Sequence, residues 1–220
     1  MTDHNETGRN DLEFFFDPVC PWAWITSRWV VEVQGQRDYS VRWRFISLKL
    51  LNSQNTADWY NDQYRRWHAM GHESLRVAAH LDSEMGNEAV ARLYTAIGTE
   101  GHVNGRRDDF AASTESFVGE CLDKAGLPTS LVASAFDEKW DERIAADTEL
   151  ALSRTGRDVG TPIITFHPGA QGESSFFGPV IAKIPRGPEA LRLWDAVETI
   201  ATTSGLAELK RTLRDRPDFS

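Results

Sequence analysis

Cysteine is scarce in this chain: its 220 residues contain two, Cys20 and Cys121. Two thiols far apart in the chain do not make a disulfide framework, so each needs its own explanation. A long basic run is also missing. With a formal net charge of -9, neither nucleic acid nor an anionic membrane surface is an expected partner. No apolar stretch approaches the ~20 residues that a membrane helix needs. There is no Gly-rich phosphate motif, so no built-in nucleotide site is expected. The opening MTDHNETGRNDL lacks the basic and apolar regions of a secretion signal, and a cytoplasmic location is the expectation. Internal repeats and low-complexity segments are absent too.

What is present suits an ordinary globular protein. Hydrophobic residues make up 40% and charged residues 26%, with a mean hydropathy of -0.44. The length is ample for a real core.

Leu12 to Phe16 reads as a buried strand from its aromatic content and short length. Asp17-Pro18 ends it. A helix starts near Cys20, with Pro21 in the first turn, where a missing N–H costs nothing. Trp22, Ile25, Trp29 and Val33 then share one helix face. Tyr39 to Leu48 alternates and reads as a second strand. From residue 56 to 156 the pattern is helical, over Asp58–Asp82 (with a break expected near Gly71), Asn87–Ile97, Asp108–Ala125 and Glu138–Ser153. Strand character returns at Pro162–Phe166. HPGAQGESS reads as a hairpin turn and Phe176-Phe177 as the returning strand. Glu189–Thr202 reads as an amphipathic helix, and Ala207–Arg214 as one more.

The order is therefore strand, helix, strand, helical block, strand, strand, helix. A βαβ unit joined to a ββα unit is the thioredoxin arrangement. The expected fold is α/β and thioredoxin-like, with residues 11–55 and 157–215 as one domain and residues 56–156 as an inserted all-helical domain.

The stretch FFFDPVCPWAWITSRW carries the chemistry. A cysteine in the first turn of a helix faces unpaired N–H groups and the positive end of the helix dipole, which favour thiolate. Were its pKa to fall to ~6, the thiolate fraction near neutrality would rise about tenfold. Lower intrinsic nucleophilicity would take back about as much. What remains is leaving-group ability: a disulfide at Cys20 would be readily broken by a thiol attacking the other sulfur. In a Cys-x-x-Cys protein the second thiol resolves a mixed disulfide internally. Ala23 occupies that position here, so resolution needs an external thiol. The expected mechanism is a monothiol cycle at Cys20. The competing reading is a small buried thiol without reactivity.

FDPVCPWAWITSRW, LYTAIG, GTP, FFGPVIAKIPRG and ELKRT together resemble the mycothiol-dependent, DsbA-like reductases of actinobacteria, the group that includes mycothiol-dependent nitroreductases. The likeness runs from about Leu12 to the C-terminus. It implies a thioredoxin fold with an inserted helical domain and a cytoplasmic reductase fed by mycothiol. It implies that Cys20 attacks, and that Pro162 is a cis-proline facing it. The Thr161 backbone would pair with a bound thiol or peptide, and Trp22 would form an aromatic wall. Asn52, Tyr64 and His102 resemble pocket residues. Typical members carry Cys-Pro-Trp-Cys, so Cys20-Pro21-Trp22-Ala23 departs from the family at its last position.

His68 and His72 stand four apart beside Glu73, a spacing that can hold zinc. Without a clear third ligand, a solvated or domain-facing pair is the better reading, and no metal is expected. Cys121 shares a helix face with Phe117 and Leu122 and reads as buried filler. Trp67, Trp140 and Trp194 read as core. Asp17 either tunes Cys20, caps its helix or simply ends the strand. The pairs Arg65-Arg66 and Arg106-Arg107 could receive an anion but read better as solvated surface.

The chain is thus expected to be a thiol–disulfide oxidoreductase with no tightly bound cofactor and mycothiol, or another small thiol, as co-substrate. Its expected substrates are mixed disulfides, of small molecules or proteins, and electrophilic small molecules. A homodimer is compatible with this reading. One rival is a thiol-dependent isomerase or transferase like the kappa-class glutathione transferases. The other is a degenerate member that binds a thiol or a partner protein without turnover.

Overall fold

The computed structural model describes residues 10–220. Its centre is a four-stranded sheet built from β1 (Leu12–Phe16), β2 (Val41–Phe45), β3 (Ile163–Phe166) and β4 (Ser174–Phe177). The strand order is β2-β1-β3-β4. β1 runs parallel to β2 and antiparallel to β3, and β4 returns antiparallel to β3. A parallel pair needs a crossover, and α1 (Pro21–Gln34) supplies it between β1 and β2. This is the thioredoxin arrangement.

β1 is flanked by strands on both sides and covered on both faces, which explains its nearly unbroken apolar run. Alternation along it sorts the two faces. Leu12, Phe14 and Phe16 join Trp43, Phe45, Ile164 and Phe166 in the main core. Phe15 points the other way, into a smaller cluster with Ile46, Ala151 and Ile163. On that second face Glu13 is buried but satisfied. Its carboxylate meets Arg44 and Arg154, and Arg44 reaches on to Asp147.

Between β2 and β3 lie α2 (Leu48–Leu51), α3 (Asp62–Met85), α4 (Asn87–Gly98), α5 (Arg107–Ala112), α6 (Thr114–Lys124) and α7 (Asp141–Thr155). No strand interrupts residues 46–162. α7 covers the second sheet face: its Asp147 accepts from the Phe45 N–H, and its Ala151 packs beside Phe15. α8 (Gly187–Thr202) covers the first face beside α1, with Trp194 against Trp29 and Phe166. Tyr94 of α4 stacks on Phe16 with ring centroids 3.9 Å apart.

Three local expectations need correction. α3 runs unbroken through Gly71. That glycine is there for close approach, since a Cβ on it would stand 2.5 Å from the Asp17 carboxylate. Asp108–Ala125 is two helices, because Ser113 is extended and caps the second through the Ser116 N–H. Ala207–Arg214 is not helical. Its Leu209 and Leu213 are exposed, so the segment buries no apolar face that would hold a helix. Among the described residues no helix is long and apolar enough to cross a membrane.

Candidate active site

The site begins where β1 ends. Asp17-Pro18-Val19 turns the chain, and Cys20 is the N-cap of α1, in extended conformation with Pro21 behind it. Its sulfur accepts the Ala23 N–H at 3.5 Å, one of the orphan donors at the helix start. The thiol donates to the Thr161 carbonyl oxygen, also at 3.5 Å. Thr161 is anchored in turn by donating its hydroxyl to the Phe15 carbonyl. The Thr161–Pro162 peptide bond is cis, and the Pro162 carbonyl accepts the Gly178 N–H at 2.9 Å. Ala23 is fully buried and Trp22 half-buried.

Burial decides the state of the sulfur. Cys20 is only 6% exposed. Loss of solvent pushes its thiol up to about 12, and the nearby Asp17 carboxyl adds to the rise. The Ala23 N–H and the Arg107 guanidinium pull the other way without prevailing. The expected depression at a helix start is therefore outweighed in this closed arrangement. Asp17 is wholly buried as well, and desolvation raises its carboxyl to about 7. It accepts the Val19 N–H and the Leu48 N–H. In this way Asp17 ties the Cys20 loop to the start of α2.

The helical block closes over that loop. His102 donates from Nε2 to the Pro18 carbonyl at 3.0 Å. Its ring stacks on Trp24 and on Phe219. Burial lowers its pKa to about 4, so it is neutral. Among the described residues its Nδ1 has no partner. Arg107 donates to the Val19 carbonyl and lies over the Trp67 ring. Tyr64 meets Trp67 edge to face, its own ring 38% exposed. Pro18, Val19, Trp67, His102 and Arg107 border a space of about 10 Å³, room for about one water molecule.

The sequence model of the Rv2466c-like family, described as mycothiol-dependent nitroreductase Rv2466c, matches residues 19–211. The chain belongs to the Rv2466c-like family. Within the broader likeness, the uncharacterized Mycobacterium tuberculosis protein Rv2286c is 29% identical over 203 residues, covering 91% of this chain and 81% of that protein. Solved structures share the fold at lower identity. A protein provisionally described as a disulfide isomerase, from Nitrosomonas europaea, is 16% identical with a TM-score of 0.55, over 84% of this chain and 95% of its own. A probable DsbA oxidoreductase from Streptomyces coelicolor is 15% identical with a TM-score of 0.53, over 94% of each chain. This is a DsbA-like thioredoxin fold in an oxidoreductase family.

Against that family background, the structure brings most of the expected site residues around one loop. Cys20 faces Thr161 directly. His102 binds the loop through Pro18, and Tyr64 reaches it through Trp67 and Arg107. Asn52 stands at the end of α2, its amide donating to the Leu48 carbonyl and its oxygen accepting from Asn55. It reaches the loop only through α2 and Asp17. The solvated-surface expectation for Arg107 needs correction, since it donates to the Val19 carbonyl next to Cys20. Its neighbour Arg106 does point outward, to Glu100, Asp109 and Glu120. Nothing in the Arg106-Arg107 pair itself distinguishes the two. The His68–His72 pair serves the interior: His72 bridges Ser47 and Asp141, and His68 meets the Tyr60 hydroxyl. Cys121 is wholly buried on α6.

Proposed function

We propose that the chain is a reductase in which Cys20 works as a single thiol, exchanging with a low-molecular-weight thiol, mycothiol by family membership. One observation carries the reading. The Cys20 sulfur sits on the α1 N-terminus opposite Thr161 and the cis Pro162 bond, and the residue one turn on, Ala23, has no sulfur.

In the cycle, the Cys20 thiolate attacks the mycothiol sulfur of a mixed disulfide. A Cys20–mycothiol disulfide forms, and the substrate thiolate leaves and is protonated. A second mycothiol thiolate then attacks the mycothiol sulfur of that adduct. Mycothiol disulfide departs and the Cys20 thiolate returns. The net change is an exchange: one free mycothiol thiol is consumed, the substrate leaves as a thiol, mycothiol disulfide carries away the oxidation, and the protein is unchanged. The same thiol chemistry extends to electrophilic small molecules.

The closed site is too small for any co-substrate and holds the sulfur protonated. The reading therefore requires the Trp67, His102 and Arg107 wall to part from the loop. Opening hydrates the sulfur and weakens the desolvation that raises its pKa, leaving the helix terminus and Arg107 to favour thiolate. The Nδ1 of His102 and Nε1 of Trp67, without partners among the described residues, are groups that a polar co-substrate would satisfy. Residues 56–156 would act as the insertion domain that gates this access, and Asn52, Tyr64 and Trp22 would line the opened pocket.

The test is intact mass after brief exposure to oxidised mycothiol and, separately, oxidised glutathione. One adduct on Cys20, formed faster than any on Cys121 and removed by the free thiol, supports the cycle. Absence of any adduct on the folded protein, or full activity in Cys20→Ser, would overturn it.

A further inference from the structure

A cavity of about 380 Å³ lies along α1 on the far side of Trp24, and Cys20 does not line it. Its walls are Trp24, Arg28, Val103, Ile184, Arg186 and Phe219. Arg28 is the informative member. Its guanidinium lies 4.3 Å from the Trp24 ring centroid. Nε donates to the Ser27 hydroxyl and NH1 to the Thr95 hydroxyl. A guanidinium has five N–H donors, so three have no partner among the described residues. Among the described residues no carboxylate lies within ion-pairing distance of it. Partly buried Arg42, Arg44 and Arg154 and buried Arg76 each meet at least one, whereas Arg107 shares the lack.

A half-buried cation without a counter-charge is expensive unless something neutralises it. Burial lowers the Arg28 pKa only to about 10, so it stays charged at neutral pH. Arg186 brings a second guanidinium to the rim. The single carboxylate lining the cavity, Glu32, is already engaged by Arg186 at 3.1 Å and by the Gly187 N–H at 3.0 Å. The cavity is thus net positive. Val31, Val103, Ile184 and Phe219 give it an apolar wall beside the Gln36 amide, and its volume falls within the usual range for small-molecule sites.

We propose that this cavity binds a small organic anion, with a carboxylate or phosphate monoester on Arg28 and a flat apolar body against Ile184 and Phe219. The site is independent of the thiol-exchange reading and stands or falls without it.

Isothermal titration with 2-naphthoate, 2-naphthyl phosphate and the uncharged 2-naphthamide tests this. Saturable one-to-one binding of at least one anion is expected, with the amide much weaker. Arg28→Met should weaken that anion by about tenfold or more, the scale of one charge-assisted contact. Val103→Glu, at an exposed position on the rim, should weaken it comparably without disturbing the fold. Cys20→Ser should leave it unchanged. The proposal is overturned if the amide binds as tightly as the anions, if both rim variants keep full affinity, or if Cys20→Ser abolishes binding. It is also overturned if neither anion saturates by millimolar concentration.

Discussion

The thiol of Cys20 donates to the carbonyl oxygen of Thr161 at 3.5 Å, across the whole helical block in sequence. A thiolate could not keep this contact, because it would set a negative charge against a carbonyl lone pair. The resting site is therefore built for the protonated sulfur, in agreement with the direction that burial gives its pKa. Reactivity has to come with opening.

Alkylation of Cys20 by iodoacetamide measures this directly. In the free protein the rate should climb with pH through about 9, the ordinary upper thiol range, without a plateau. A plateau near neutral pH would mean that the resting protein already holds a thiolate, and that the burial argument is wrong.

Ala23→Cys should restore an internal resolving thiol. Position 23 is buried, and its N–H already touches the Cys20 sulfur. Mild oxidation should give a reversible disulfide between residues 20 and 23, seen as the loss of two mass units and of two titratable thiols. The external-thiol adduct at Cys20 should become transient in that variant. Two free thiols persisting under oxidant would contradict the placement of Cys20 at the helix start.

Asp17 makes stability depend on pH. Its carboxyl is raised from 3.8 to about 7, so the folded chain holds a proton that the unfolded chain releases. The stabilisation is complete below about pH 4 and is lost as pH rises toward 7. The full difference is on the order of a few kcal/mol. Urea midpoints for the parent and Asp17→Asn between pH 4 and pH 7 isolate it. The variant should be less stable overall, because its amide cannot accept both the Val19 and Leu48 N–H groups. The gap between the two proteins should narrow as pH rises. A gap that widens toward pH 7 would mean that Asp17 is ionised in the fold.

The architecture was largely legible because its signals are local. Leu12–Phe16, the Pro21 helix start and the Phe176-Phe177 return each carry their own periodicity or turn chemistry, although the returning strand begins two residues earlier, at Ser174. The Cys20 position was legible for the same reason. What sequence did not give is burial by distant elements. Nothing around Cys20 announces that His102 and Arg107 will reach the carbonyls of its loop, or that burial will raise its pKa. Arg107 was invisible because its partners, the Val19 carbonyl and the Trp67 ring, come from other elements. Gly71 was read as a helix break since its real partner, Asp17, is equally remote.

Gly98 makes the same point and can be tested for its effect on the site. A Cβ placed there would overlap the Trp24 ring, so no side chain fits while Trp24 keeps its position. Trp24 in turn stacks on His102, which holds the Cys20 loop through Pro18. Gly98→Ala should destabilise the protein by about 1–3 kcal/mol through overpacking, read as a lower urea midpoint with an unchanged slope. Adding Trp24→Leu should recover part of that loss, because the two residues are in contact and their effects are not additive. The displaced ring should also loosen His102, so Cys20 alkylation in Gly98→Ala should be faster than in the parent at the same pH. If stability falls while alkylation is unchanged, Trp24 and His102 pack together without controlling access to Cys20. If neither changes, the helix end at Gly98 can yield, and close approach to Trp24 is not what requires glycine there.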